Sequence, residues 1–300
     1  MFDLQRLRLF HELAHRGTMT SVAAALGLTS SAVSQQLAIL EREAGVALLE
    51  RVGRRVRLTG EGARLVTHAA AILEAVEAAK LDLKAAGEST RGVLEIACFP
   101  TFAKARLLPA VITARAQFPE LHVVIRELES KDAIEALREG RCHMATTFAY
   151  NLAPSPEVAG FVAHQLLDEP VLLALPPSWC GAPEPIDLAS LAREDWIVGS
   201  RQTDDRRLAE RACGIAGFAP RITHTVDDYD LVLRMVAANF GVGFVPELAL
   251  QAPSAEGVVV RTPAGPPLRR RIHAVTRNAL AASPMVRAIL SELARCDAVV

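Results

Sequence analysis

Leu4, Leu7, Phe10 and Leu13 recur every three residues and the pattern stops at Gly17, which predicts a first amphipathic helix. In TMTSVAAALGL, Val22, Ala23 and Leu26 fall on one helical face. Thr20 or Ser21 is the expected N-cap, Gly27 the turn, and Leu28 the residue that fills it. A third helix follows in TSSAVSQQLAILE, residues 29–41, where Val33, Leu37 and Leu40 make a stripe at i, i+4 and i+7. That stripe leaves Ser30, Ser31, Ser34, Gln35 and Ala38 facing outward, short side chains where Lys and Glu are the common choice. Two short helices joined by a glycine-bearing turn describe a helix-turn-helix. GVALLERVGRRVRLTGEG then alternates Val52, Val56 and Leu58 with arginines around Gly53, the pattern of a two-stranded wing.

From Glu61 to about Gly87 the residues are strong helix formers, with Leu65, Ala69, Ile72, Val76, Ala79 and Leu83 at heptad a/d spacing. A helix packed only on its own domain shows the wider 3.6-residue stripe, so this narrow seam predicts pairing with a second copy. GESTRG, residues 87–92, has hinge composition. Beyond it, strands such as VLEIACF, LHVVIREL, HMATTFA, EPVLLALP, WIVGS, RITHTV, GVGFVP, GVVVRTP and RRRIHAVT are interspersed with helices. That alternation predicts parallel, doubly wound sheets, and about 200 residues suit two such subdomains flanking a cleft. The expected organisation is a head at 1–60, a linker helix at 61–88 and a body at 93–300. Within the body, subdomain I takes about 93–163 and 269–300, and subdomain II about 164–268.

Composition adds a charge asymmetry. The net charge of −1 hides eight arginines against five acidic residues in the first sixty, a surplus of three, so the rest carries −4. A basic head on an acidic body suits a polyanion partner. No apolar run approaches the roughly 18 residues of a membrane span. MFDLQRLRLF lacks the apolar core of a signal peptide. Five dispersed cysteines without a CxxC pair fit free thiols in a reducing compartment, so a cytoplasmic protein with no membrane partner is expected. No Gly-x-Ser-x-Gly elbow, P-loop, metal-spaced His/Cys cluster or dinucleotide glycine fingerprint occurs. The expectation is therefore a non-enzyme with no catalytic residues, no metal and no cofactor.

AAALGLTSSAVSQQLAILEREAGVALLERVGRRVRLTGEG, within residues 20–62, resembles the LysR-type transcriptional regulators over a long, specific motif. The resemblance makes SAVSQQLAILE the recognition helix, and implies a dimerising linker helix and a two-subdomain effector-binding body. Its base-contacting positions fall on Ser30, Ser31, Ser34 and Gln35, the same face that the apolar stripe leaves outside. Gln can pair bidentately with adenine, and serine hydroxyls can bond bases or phosphates. Many members have Gln-Pro at Ser30-Ser31 and arginine at Gln35, which changes the preferred bases rather than DNA binding. Arg54 matches the wing tip, where the family's arginine enters the minor groove, and Arg51, Arg55 and Arg57 lie beside it for phosphates.

The body resembles the periplasmic-binding-protein fold, whose ligands sit at strand C-termini and helix N-termini. Strand ends place Pro100, Thr101, Ser130, Thr147, Phe148, Gly199, Ser200 and Gly243 at the cleft. The family's effector-contacting positions fall on or beside Thr101, Ser130, Thr147, Gly199 and Ser200. Hydroxyls and free N–H groups there suit a carboxylate-bearing small molecule or an amino acid. Asp227, Asp228 and Asp230 around Tyr229 either attract a cationic ligand or cap the next helix, with capping the favoured reading. His143 stands where many members carry an Asp and reads as structural. An alternative input is oxidation of Cys180 and Cys213, because some members sense oxidants through a cysteine pair in the second subdomain. The implied assembly is a homodimer through the linker helix, and a homotetramer by resemblance.

Overall fold

A computed structural model describes residues 1–52, 55–85, 90–153, 158–200 and 203–296. Three helices form the head: α1 (Leu4–Arg16), α2 (Met19–Leu26) and α3 (Ser30–Ala44). Each ends on a glycine with positive φ, Gly17, Gly27 and Gly45, whose N–H bonds back into the last turn. The expected N-cap of α2 is corrected: Thr18, not Thr20 or Ser21, accepts the Ser21 N–H at 3.1 Å. Leu28 does not fill the turn but stays 45% exposed. Leu7, Phe10, Leu13, Val22, Val33, Leu37 and Leu40 make one buried core. Each large side chain there contributes roughly 1.5–3 kcal/mol by leaving water.

Strands β1 (Leu49–Val52) and β2 (Arg55–Leu58) pair antiparallel as the wing. Two backbone N–H groups, Leu48 at 2.9 Å and Leu49 at 3.0 Å, bond Glu41 Oε1 and tie the wing to α3. The long helix α4 (Gly60–Ala85) follows. Gly62 cannot be replaced there without movement, since a Cβ would sit 2.2 Å from the Leu48 carbonyl oxygen. The heptad seam on α4 divides. Leu65 and Ala69 pack into the head core, whereas Ile72 and Ala79 are exposed. Leu83's side chain lies outside the described residues.

In the body, β3 (Gly92–Cys98) pairs parallel with β4 (Leu121–Glu127) and β5 (Met144–Tyr150). Helix α5 (Pro100–Phe102) runs through a π turn into α6 (Leu108–Gln117), and α7 (Ser130–Arg138) crosses from β4 to β5. The all-parallel expectation is corrected beyond this unit. β6 (Phe161–Leu175) is antiparallel to β9 (Gly243–Pro246) and to β10 (Val259–Arg261). β11 (Arg269–Arg277) is likewise antiparallel to both β5 and β6. The sheet order is β10-β6-β11-β5-β3-β4, with β9 also on β6. The connection between β10 and β11 holds no helix and is too short for a crossover, which takes a dozen or more residues. A parallel pair, β7 (Asp195–Val198) and β8 (Arg221–Thr225), stands beside β9 with α8 (Asp204–Ile215) and α9 (Tyr229–Ala237). Helix α10 (Pro284–Cys296) returns to pack on α6. The subdomain boundary expected at 163–164 falls inside β6, which pairs with β11 through Pro170 and with β9 and β10 beyond it.

Candidate functional sites: a helix face and a cleft

The head presents a helix face. Helices α2 and α3 meet at 107°, within the usual range for a helix-turn-helix. Thr29 caps α3 by accepting the Ala32 N–H at 3.2 Å, and its hydroxyl lies 3.0 Å from that of Ser31. Ser30, Ser31, Ser34, Gln35 and Ala38 are all exposed, while Val33, Leu37 and Leu40 are buried. The two glutamines part company. Gln36 accepts a 3.0 Å hydrogen bond from Arg6 Nε, and Arg6 also pairs with Glu43, which holds α3 against α1. Gln35 stays exposed toward solvent. On the wing, Arg57 is exposed. Arg54 and the side chains of Arg51 and Arg55 lie outside the described residues. Where head meets body, His15 Nδ1 of α1 is 3.5 Å from Glu135 Oε1 of α7, with Glu139 close by. Both glutamates already pair with arginines, Arg138 and Arg141, so His15 adds a polar contact between the parts.

The body presents a cavity of about 620 Å³ between the two subdomains. Four helix N-termini converge on it, those of α5, α7, α8 and α9, because each helix begins just after a strand or loop ends at the cleft. Its first wall carries Phe99, Pro100, Thr101, Lys104, Glu129, Ser130 and Phe148; its second carries Ser200, Asp205, Asp227 and Tyr229. Leu248, Ala249 and Ala252 supply an apolar side. Arg270 forms the floor, only 1% exposed. Its Nε and Nη2 each lie 2.7 Å from Glu169 Oε1, and Nη1 is 3.3 Å from Thr101 Oγ1. The rings of Phe99 and Phe148 stack on the guanidinium at 5.3 and 5.4 Å.

Among the described residues seven carboxylates line the cavity (Glu129, Asp132, Asp204, Asp205, Asp227, Asp228, Asp230) against three cations, Lys104, Lys131 and Arg270. Enclosure by the protein, then the nearby charges of Asp205 and Asp227, pushes the Glu129 carboxyl up to about 7. Burial likewise raises Asp205, although the phenols of Tyr150 and Tyr229 act in the other direction.

Residues 4–63 match the family of bacterial regulatory helix-turn-helix proteins of the lysR family, and residues 87–296 match the LysR substrate binding domain. The chain belongs to the LysR-type transcriptional regulators. The transcriptional dual regulator GltC of Bacillus subtilis is 30% identical over 82% of this chain and 81% of its own. A probable hydrogen peroxide-inducible genes activator of Mycobacterium xenopi is 39% identical over 58% of this chain and 89% of its own. Among solved structures, a full-length OxyR variant from Pseudomonas aeruginosa matches with a TM-score of 0.69 at 23% identity, covering 98% of this chain and 95% of that one. CbnR in complex with its target DNA matches at 0.57 and 22%, covering 98% and 100%. Both structures share the fold of this LysR-type regulator.

Five of the eight residues expected at the regulator's cleft line it: Pro100, Thr101, Ser130, Phe148 and Ser200. Three do not. Thr147 is 1% exposed and lies one position from Phe148, so the pleat turns it to the opposite face of β5. Gly199 is packed into its turn, where a Cβ would meet Thr203 Oγ1 at 2.4 Å. Gly243 is buried in β9, its Cβ position 3.0 Å from the Ile197 carbonyl oxygen. Ser130 has a second duty, since its Oγ accepts the Phe148 N–H at 3.1 Å. Asp228 caps α9 by accepting the Leu231 N–H at 2.8 Å, and Asp227 accepts the Ser200 N–H at 2.7 Å. His143 accepts the Glu95 N–H at 2.9 Å, a structural role. Residues that the sequence reading passed over are Lys104, Glu129, Asp205 and Arg270. The only signal for Glu129 and Asp205 was their place at a helix start.

The cysteines of the regulator differ in access. Cys180 is exposed, whereas Cys98, Cys142 and Cys213 are buried. Burial alone pushes the Cys213 thiol up to about 12, which leaves almost no thiolate at neutral pH. Thiol labelling of the native protein should therefore modify Cys180 within minutes and leave Cys98, Cys142 and Cys213 protected until denaturant is added. Peptide mapping by mass spectrometry reads this directly. Rapid native labelling of Cys213 would contradict its burial.

Proposed function

We propose that this LysR-type transcriptional regulator reads its operator with Ser30, Ser31, Ser34 and Gln35 of α3, supported by Arg51, Arg54 and Arg55 of the wing. A small polar molecule, a carboxylate or an amino acid, enters the body's cleft and alters how the heads sit on DNA. The observation that carries this reading is the cavity itself, because residues from both subdomains face one another across it. A ligand touching both walls has different affinity for open and closed arrangements, so it shifts the equilibrium between them. The units of the proposal are the head at 1–60, the linker helix at 61–88 and the body at 93–300. Exposed Ile72 and Ala79 support pairing of α4 with its copy, and two such dimers make a tetramer. The protein acts on chromosomal DNA in the cytoplasm.

The test is a thermal-shift screen of the full chain against small carboxylates, amino acids and aromatic acids. A millimolar compound of micromolar affinity contributes about 4 kcal/mol and raises the melting temperature visibly. The expected hit loses its shift in Thr101→Ala and Ser200→Ala. A hit indifferent to both substitutions places the ligand outside the cleft and overturns this reading. A peroxide input through Cys180 and Cys213 has less support, since Cys213 is buried and its thiol stays protonated.

A further inference from the structure

The cleft's charges are unevenly satisfied. Lys104 pairs with Asp230 and approaches Asp228 at 3.9 Å. Arg270 pairs with Glu169 through Nε and with Thr101 through Nη1, and its Nη2 lies 2.7 Å from Glu169 Oε1 without making a hydrogen bond of its own. Asp228 caps α9, and Asp204 and Asp230 sit in first helical turns where the helix dipole favours an anion. With Asp132 in the first turn of α7, these roles account for four of the seven carboxylates without any ligand. Three carboxylates are left over. Glu129 precedes α7 but makes no side-chain cap hydrogen bond. Asp227 accepts one backbone N–H, from Ser200. Asp205, in the first turn of α8 and bonded by the phenols of Tyr150 and Tyr229, keeps one carboxylate oxygen, Oδ1, that is shut away from solvent with no hydrogen-bond partner among the described residues. An enclosed carboxylate oxygen without a donor is costly, and a donor entering with the ligand removes that cost. Among the described residues Lys131 forms no ion pair with any of the three.

We propose that the effector carries an organic cation, an ammonium or guanidinium on a short carbon skeleton, held between Glu129 of one wall and Asp205 and Asp227 of the other. This rests on the effector-cleft reading above and deepens it. A lone metal ion fits less well. Its ligand atoms must gather within a few ångströms, and among the described residues the one group of three with ligand atoms within 4.8 Å is His15, Glu135 and Glu139, away from the cleft. A volume of about 620 Å³ also exceeds what an ion fills, and Ala105, Leu248 and Ala252 offer the apolar surface that a carbon skeleton needs. The groups acting on Glu129 are Asp205, Asp227 and Glu127, which oppose its ionisation, and Arg270, which favours it. A bound cation favours the ionised carboxyl. Binding therefore tightens as pH rises through about 7, by about tenfold between pH 6 and pH 8.

The test measures binding of putrescine, agmatine, L-lysine and L-arginine to the full chain by calorimetry and thermal shift. Glutarate, benzoate and Mg²⁺ serve as comparison probes. The expected result is saturable binding of at least one amine, tightening from pH 6 to pH 8, and weakened tenfold or more in both Asp205→Asn and Glu129→Gln. Glu129 caps nothing and the residue as a whole is exposed at the cleft rim, its carboxyl alone being enclosed, so Glu129→Gln keeps the fold even if Asp205→Asn does not. Silence of all four amines overturns the proposal. Binding of glutarate or benzoate instead overturns the cation while leaving the effector cleft standing. An amine that binds both variants as tightly as the parent overturns the site, and Mg²⁺ competing at equal strength reassigns it to a metal ion.

Discussion

Replacing Arg270 with methionine lowers the stability of the body by about 3–5 kcal/mol, the usual cost of removing one partner from a buried ion pair. Arg270 and Glu169 occupy opposite positions on β11 and β6, and each side chain is about 1% exposed. Glu169 Oε1 accepts from Arg270 Nε at 2.7 Å, and Oε2 accepts the Leu248 N–H at 2.7 Å. Methionine fills the space between Phe99 and Phe148 but leaves Glu169 without its cation. At 2–4 °C per kcal/mol for a domain of this size, the melting temperature should fall by about 10 °C. Adding Glu169→Leu to Arg270→Met should recover most of that loss, because the isolated carboxylate is then gone and an apolar pair replaces it. Urea titration of the two variants and the double variant separates the terms. If the double variant is as unstable as Arg270→Met, packing and not charge is what Arg270 supplies. The same pair touches the cleft lining twice, through Thr101 of the first wall and Leu248 of the apolar side, so stability and cleft geometry meet at one ion pair.

This pair also marks the limit of what the sequence discloses. The apolar periods of α1, α3 and the wing are local, and they place the outward-facing residues of α3 without help from the rest of the chain. The heptad on α4 is local too, but its use is not. Leu65 and Ala69 go to the head core, a choice made by helices far back in the sequence. In RRR, residues 269–271, three arginines in a row read as surface. The pleat nevertheless buries the middle one, because its partner waits about a hundred residues upstream. Pro170 suggests a strand beginning, since proline cannot donate to a ladder. In fact β6 runs through it, and the proline marks where pairing passes from β11 to β9 and β10. Strand ends pointed to Thr101, Ser130 and Ser200, which line the cavity. Thr147, also expected there, does not line it, because a one-residue choice of face turns it away. Glu129 and Asp205 look like ordinary helix-start acids from either side alone. Only the folded cleft brings them opposite one another.

Replacing Gln35 with alanine should weaken operator binding by about 1–3 kcal/mol, roughly 5- to 150-fold, and relax the preference at a single base pair. Gln35 is exposed on α3, clear of the stripe that Val33, Leu37 and Leu40 bury, and alanine is a better helix former, so the fold is left intact. Its neighbour Gln36 is the control within the same helix. Gln36 holds Arg6, so Gln36→Ala should cost stability and leave base preference unchanged. A second contrast comes from Arg57, exposed on β2 and suited to a phosphate. Arg57→Ala should weaken all DNA sequences about equally and reduce the slope of log affinity against log salt by about one. Operators selected from a random duplex library, with affinities measured by fluorescence anisotropy at several salt concentrations, distinguish the three. If Gln35→Ala selects the same sequences with unchanged affinity, α3 does not read bases through this residue. If instead its loss is uniform across sequences and salt-dependent, Gln35 touches the backbone and specificity lies with Ser30, Ser31 and Ser34.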